Sequence, residues 1–214
     1  METLRGNNPV DWNNNKELKL QLIDLLGSNN DIETEDQKRI KKIEKKFVIR
    51  AFGVTEEGYS VCLNITEFPP HFYVKVDFNM SQIQVKGFIS YIKSQLSFYN
   101  KSDIISYDVV HKKDVWGFNN NKKFNFIRIL FKNTNTMNDV VKILKKNKIR
   151  GKSYKDSIYE SNILPLVRFI HINKIEPSNW IILKPNSYEV NDEPISTCQI
   201  DVDVHWKKVI ALNS

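Results

Sequence analysis

Residues 47–76 constrain the fold of this chain more than any other stretch. Apolar and β-branched residues dominate on both sides of Thr55-Glu56-Glu57-Gly58, a polar run that closes on glycine, and the pattern is that of two strands joined by a tight turn. Pro69 and Pro70 then exclude both a helix interior and a central strand, so the chain must turn a corner before residues 72–77 form a third strand. A chain that opens in this way is committed to a sheet. None of these residues has catalytic chemistry.

The next segment alternates two periodicities. Ile83, Phe88, Ile92 and Leu96 predict a helix over 79–99, with Ser81 as its cap. Strands follow at 103–113 and 123–132, joined by a loop at 114–121. Met137, Val140, Val141 and Leu144 face inward from a helix over 136–148 that ends near Gly151, and residues 153–159 return as a strand. The order strand, helix, strand, strand, helix, strand is that of the split ferredoxin-like unit. RNA-recognition-type domains use this unit and stack bases on its open sheet face.

Lys122, Lys123, Phe124, Asn125, Phe126, Ile127, Arg128 and Ile129 approximate the aromatic and basic pattern of such a face, without its glycine. Period two sends Ile127, Ile129 and Phe131 to one side and Phe124, Phe126 and Arg128 to the other. Lys122, Lys123, Phe124, Phe126, Arg128 and Tyr73 are therefore candidate nucleic-acid contacts. Two readings stand: the rings are open and stack bases, or they are covered by the rest of the protein, because adjacent exposed phenylalanines are costly.

Toward the N-terminus, Leu18, Leu22, Leu25 and Leu26 predict a short amphipathic helix over 16–26, ended by Gly27. A polar linker over 28–36 and a charged helix over 35–46 complete a helical arm of 46 residues. After the central unit, a helix and strands at 180–184 and 197–204 are expected.

Two blocks carry a family resemblance. The first is residues 47–76; the second is Tyr159-Glu160-Ser161-Asn162-Ile163, Arg168-Phe169 and Trp180-Ile181, in that order. Together they resemble the N-terminal domain of family B DNA polymerases, the delta-type replicative enzymes and their large-DNA-virus relatives, over roughly residues 47–210. The resemblance implies an α+β fold that combines the RNA-recognition-like unit, about 70–160, with a small OB-like barrel subdomain built from about 47–69 and 161–210. It also implies a non-catalytic role, bracing the exonuclease domain and guiding single-stranded template DNA. The partners would be that DNA and the exonuclease and polymerase domains of the same or a partner chain. Magnesium is expected for the parent polymerase and no cofactor for this chain, which stops about where the first exonuclease strand is expected. Arg168 and His171 lie three apart on a helix, where Arg168 would touch template phosphate or pair with Glu160. Trp180 and Trp206 read as core. A stand-alone single-strand-binding module and a docking module for other replication proteins are the alternatives.

Carboxylate motifs need separate treatment. Asp31-Ile32-Glu33-Thr34 spells the family's first exonuclease motif, whose carboxylates hold metal ions, but it follows Gly27-Ser28-Asn29-Asn30 and reads as a solvated turn. Tyr188 and Asp192 match another exonuclease motif, while the motif that belongs between them is missing. Asp201-Val202-Asp203 reads as a strand with its carboxylates on the wet face.

Composition sets the remaining bounds. At 214 residues and 41% apolar the chain can bury a real core, which excludes a disordered protein. The net charge of +7 fits a nucleic-acid partner, although lysine, asparagine and isoleucine are over-used together, as an A+T-rich genome would impose. No apolar run approaches eighteen residues and residues 1–6 lack a signal-peptide core, so no membrane partner is expected and the site is intracellular. Through the resemblance, that site is the place of DNA replication, a viral replication compartment or the host nucleus. Cys62 and Cys198 read as free thiols, and no zinc site can be assembled.

Overall fold

The computed structural model describes residues 10–32, 44–113, 122–192 and 194–212. The described chain is α+β, with more strand than helix, and divides into two compact units: Met1–Phe68 with Leu164–Ser214, and Pro69–Ile163. Strands β1 (Leu18–Ile32), β2 (Glu44–Thr55) and β3 (Ser60–Thr66) come first. The second unit follows with β4 (His71–Val76), helix α1 (Gln82–Gln95), β5 (Ile104–Lys113), β6 (Lys123–Phe131), helix α2 (Thr134–Lys146) and the short β7 (Lys148–Ile149), β8 (Lys152–Ser153) and β9 (Ile158–Tyr159). The chain then returns to the first unit with helix α3 (Pro165–Ile172), β10 (Trp180–Leu183), β11 (Tyr188–Val190), β12 (Ile200–His205) and β13 (Ile210–Leu212).

The first unit is built on a seven-stranded sheet in the order β11-β12-β3-β2-β1-β10-β13. The turn between β2 and β3 forms where the sequence places it, with Gly58 at φ +88° and the Thr55 N–H donating to the Tyr59 carbonyl at 2.9 Å. β3 runs antiparallel to β2 and parallel to β12, and its residues 61–65 are all buried. That continuous apolar run is what a strand covered on both faces requires.

The helix expected over 16–26 is instead the start of β1. Leu18, Leu20 and Leu22 are buried while Gln21 and Ile23 are exposed, which is the period of a strand. The leucines fit both periods locally, and pairing decides between them: β1 bonds to β2 along its length and to β10 through Leu18–Gln21. Gly27 is a strand residue, not a helix cap, and the polar linker expected from residue 28 is strand as far as Ile32. Of the charged helix expected over 35–46, residues 44–46 belong to β2 and the others lie outside the described residues.

In the second unit four strands form a fully antiparallel sheet, ordered β5-β6-β4-β9. Phe72, Val74, Ile127, Ile129 and Phe131 share one face and pack with Val85, Phe88 and Ile92 of α1 and Met137, Val140 and Leu144 of α2. Both helices begin on side-chain caps. Ser81 and Gln84 form a reciprocal capping box, and the Asn133 side-chain Oδ1 accepts from the Thr136 N–H at 2.8 Å. Asp103 ties α2 to the sheet by accepting from Asn133 and Thr136 at 3.0 and 2.7 Å. The strand expected over 153–159 is shorter than that: a β7–β8 hairpin and a 3-10 turn at Lys155–Ser157 take up most of it, and β9 alone pairs with β4.

One close approach fixes the register of the first sheet. β1 slips by a residue between Leu22 and Asp24, and near that bulge a Cβ on Gly53 would sit 2.3 Å from the Gln21 carbonyl oxygen. Backbone cannot yield there as a flexible side chain would. Gly53→Ala is expected to lower stability by about 1–3 kcal/mol or more, read as a fall in the urea midpoint, whereas Gly58→Ala acts through its backbone angle alone.

Candidate nucleic-acid interface

Strand register assembles the candidate face from four strands. Tyr73 lies opposite Arg128 and Lys75 opposite Phe126 across β4 and β6. Asp108 lies opposite Arg128 and Lys112 opposite Phe124 across β5 and β6, while Tyr159 of β9 lies opposite Tyr73. Because side chains alternate, all of these project from the face turned away from α1 and α2. The structure thus brings Tyr73, Phe124, Phe126 and Arg128 together, with Lys122 and Lys123 exposed at the start of β6.

The two rings of the sequence motif have different fates. Phe126 is 3% exposed and meets the Tyr159 ring edge-on, with centroids 5.2 Å apart. It is a packing residue, and a base cannot stack on it. Phe124 is half-buried at the end of the face, with the Lys75 ammonium 3.8 Å from its ring centroid and that of Lys122 at 5.8 Å. Tyr73 is buried under the Lys112 ammonium, which stands 3.8 Å from its ring centroid. Each such cation–π contact contributes roughly 0.5–1 kcal/mol at an exposed site.

Arg128 is committed elsewhere. Its Nε and Nη2 donate to the two carboxylate oxygens of Asp108 at 2.9 and 3.0 Å, a planar two-point pair. Those hydrogen bonds raise the guanidinium pKa further, so it stays charged and paired. Arg168 belongs to the other unit, on α3, and is 8% exposed, while His171 on the same helix is exposed. The aromatic face and Arg168 are therefore not one local constellation of the second unit. Trp180 and Trp206 are partly buried in the first unit, Trp206 meeting Phe68 edge-on at 5.3 Å.

The acidic motifs have structural roles that the sequence did not disclose. Asp201 is 4% exposed, not on a wet face. One oxygen accepts from the side-chain amides of Asn64 and Asn191, each at 2.8 Å, and the other accepts from the N–H groups of Ile195 and Ser196 at 3.1 and 2.9 Å. Asn191 also donates to Asp203 at 2.8 Å. The side chain of Asn191 and the backbone of Ile195 and Ser196 lie over the Asp201 carboxylate, so alternation along β12 does not leave it on a wet face. Donors already occupy this site, and that environment does not fit a metal ion. Among the described residues no group of three or more His, Cys, Asp or Glu side chains is placed to hold one. Asp31 and Ile32 end β1; Glu33 and Thr34 lie outside the described residues. Tyr188 is buried, its hydroxyl accepting from Trp12 Nε1 at 2.9 Å and donating to the Lys16 carbonyl at 3.0 Å.

Comparison with known proteins gives this arrangement its context. The chain is 38% identical over 173 residues to a DNA polymerase of Pyramimonas orientalis virus, a match that spans 79% of this chain and 14% of that protein. It is 31% identical over 178 residues to the DNA polymerase delta catalytic subunit of Dictyostelium discoideum, spanning 77% of this chain and 16% of the relative. The chain is a relative of the family B DNA polymerases. It spans about one seventh of the viral polymerase's length.

Residues 156–214 match the family model described as DNA polymerase family B, exonuclease domain. That description reaches over Tyr159-Glu160-Ser161-Asn162-Ile163, Arg168-Phe169 and Trp180-Ile181, which the family resemblance places ahead of the exonuclease. A family B DNA polymerase from the archaeon Pyrobaculum calidifontis shares the fold, with a TM-score of 0.59 at 14% identity, over 92% of this chain and 21% of that one. Among the described residues no helix is long and apolar enough to cross a membrane.

In this polymerase relative the buried acidic knot has measurable consequences. Asp201→Ala leaves four donors without this acceptor, that of Asn64 buried, and is expected to cost about 1–3 kcal/mol in urea unfolding. Burial first, then the Asp201 carboxylate, pushes the Cys62 thiol up to about 11. The folded state therefore holds that proton more tightly than the unfolded chain, so stability from this group is complete below pH 9 and is lost as pH rises toward 11. Unfolding midpoints measured from pH 8 to 11 should fall less steeply in Cys62→Ala than in the unaltered chain.

Proposed function

We propose that this chain is the non-catalytic N-terminal domain of a family B replicative DNA polymerase, bracing the exonuclease domain and guiding single-stranded template DNA. The second unit is read as the split ferredoxin-like module, supported by its element order and by the sheet order β5-β6-β4-β9 with both helices packed on one face. The first unit supplies the OB-like part. Polymerisation by the whole enzyme, with its magnesium ions, would reside in domains other than these two units.

The observation that carries template guiding is the lysine cover on the aromatic face. Lys112 and Lys122 hold their ammonium groups over the Tyr73 and Phe124 rings, and Lys123 stands exposed beside them. An incoming strand meets cations before it meets rings, and Phe126 is already sealed. The face therefore suits phosphates more than bases, which is what a sequence-tolerant guide needs.

A docking role for other replication proteins is the second reading. It is favoured by the exposure of Phe78, Ile83, Phe98, Ile105 and Val109 in the same unit. Weak DNA affinity with a flat salt dependence would support docking over guiding.

Titration of a labelled oligothymidylate at several salt concentrations separates these outcomes. Lys112→Gln and Lys122→Gln are each expected to weaken binding and to reduce the slope of log affinity against log salt by about 0.7. Phe124→Ala should lose no more than the roughly 1–3 kcal/mol of one stacked base. Phe126→Ala should unfold at lower urea instead, costing about 3–5 kcal/mol of stability. Unchanged affinity and slope in the double lysine variant would overturn the guiding surface.

A further inference from the structure

Strand β5 ends the order β5-β6-β4-β9, so among the described residues no strand pairs with its outer side. After the irregular step between Ile104 and Ser106, its pairing with β6 is regular as far as Lys113. The outer side therefore presents a row of backbone N–H and C=O groups. Long edges of this kind are ordinarily shortened or shielded, because they template pairing with another chain.

A recess of about 400 Å³ opens between that edge and α1. Met80, Gln82, Val85 and Lys86 line it on the helix side, and Tyr107, Asp108 and Val109 line it on the strand side. Register puts Tyr107 opposite Ile129 and Val109 opposite Ile127, so both side chains stand on the face that carries the helices, while Asp108 is turned to the other face. The apolar part of the lining is accessible: Val109 is 41% exposed, Met80 and Tyr107 are half-buried, and Val85, at 4%, forms the sealed floor.

The charge left over along this edge is positive. Asp108 is already held at two points by Arg128. Lys86 stands exposed at the rim of the recess, and Lys112 is exposed farther along β5, on the face opposite the helices. The two faces of the edge thus differ, one apolar and one basic, and a strand laid beside β5 alternates its side chains between them.

We propose that β5 accepts an extended peptide of alternating apolar and acidic residues as an added strand, with the apolar side chains in the recess between α1 and β5 and the acidic ones toward Lys112. Backbone hydrogen bonds along the edge supply affinity that is indifferent to sequence, while the recess and the lysine select the side chains. A sugar-phosphate chain fits less well, because it cannot complete the strand ladder. The proposal rests on the docking reading and gives it a site and a ligand chemistry; it does not require DNA binding by the lysine-covered face.

Fluorescence anisotropy of a labelled peptide alternating valine and glutamate, equal in length to Ile104–Lys113, tests this with the 214-residue chain. A version N-methylated at every residue keeps the side chains, loses every N–H donor and should bind about tenfold or more weakly. Val109→Glu, at an exposed strand position, should weaken the parent peptide about tenfold or more with Tm unchanged. Lys112→Gln should weaken it and flatten its salt dependence. No binding of the parent peptide, or equal binding of the methylated one, overturns strand addition. Equal binding of a peptide alternating valine and lysine overturns the charge assignment. Peptide affinity that Val109→Glu leaves unaltered overturns this groove while leaving docking elsewhere on the unit. Self-association of the unaltered chain that Val109→Glu abolishes assigns the edge to a second copy and overturns the proposal. Displacement of the peptide by oligothymidylate that persists in Lys112→Gln/Lys122→Gln assigns the groove to nucleic acid and overturns it as well.

Discussion

The pairing of β1 with its two neighbours is the contact on which the first unit depends. In the order β11-β12-β3-β2-β1-β10-β13, β1 is the strand that joins the β2 side to the β10 and β13 side. Removing it would leave both sides with unpaired backbone edges, and a bare edge is unstable or sticky. Leu18, Leu20 and Leu22 then fill the core under the joint, each burial contributing roughly 1.5–3 kcal/mol. The residues just before β1 are tied in as well, through the Trp12 and Lys16 hydrogen bonds to Tyr188. Segments far apart in sequence thus become one sheet through the N-terminal strand.

Charge is distributed over this framework in a consistent way. Two prominent carboxylates are used up internally: Asp201 by four N–H donors and Asp108 by Arg128. Lys112 and Lys122, by contrast, stand over the Tyr73 and Phe124 rings, where their remaining N–H groups can reach a ligand. A surface of that kind attracts phosphate, and among the described residues no three His, Cys, Asp or Glu side chains are grouped to hold a metal ion.

Local signals were legible where one periodicity had no rival. The capping box at Ser81, the buried stripe of α2 and the turn at Gly58 each rest on contacts within a few residues, and each appears where the sequence places it. Residues 18–26 were misread because leucines at 18, 20, 22, 25 and 26 satisfy a helix and a strand together. The deciding partners, Val54 and Ile181 among them, lie more than thirty and more than a hundred and fifty residues away. Asp201 was misread for a related reason. Alternation predicts a wet face only when one face is wet, and Asn64, which lies 137 residues away and donates to Asp201, could not be seen locally. The aromatic face was half legible: period two gave the correct side for Phe124, Phe126 and Arg128, but the burial of Phe126 against Tyr159 arises from β9, a two-residue strand.

The most direct test of the central claim is an activity assay on a primed, end-labelled template with magnesium and all four deoxynucleoside triphosphates. The account predicts that the 214-residue chain neither lengthens the primer nor shortens its 3′ end, because the Asp201 and Asp203 carboxylates already hold protein donors. Shortening of the 3′ end that disappears in Asp201→Asn would contradict it.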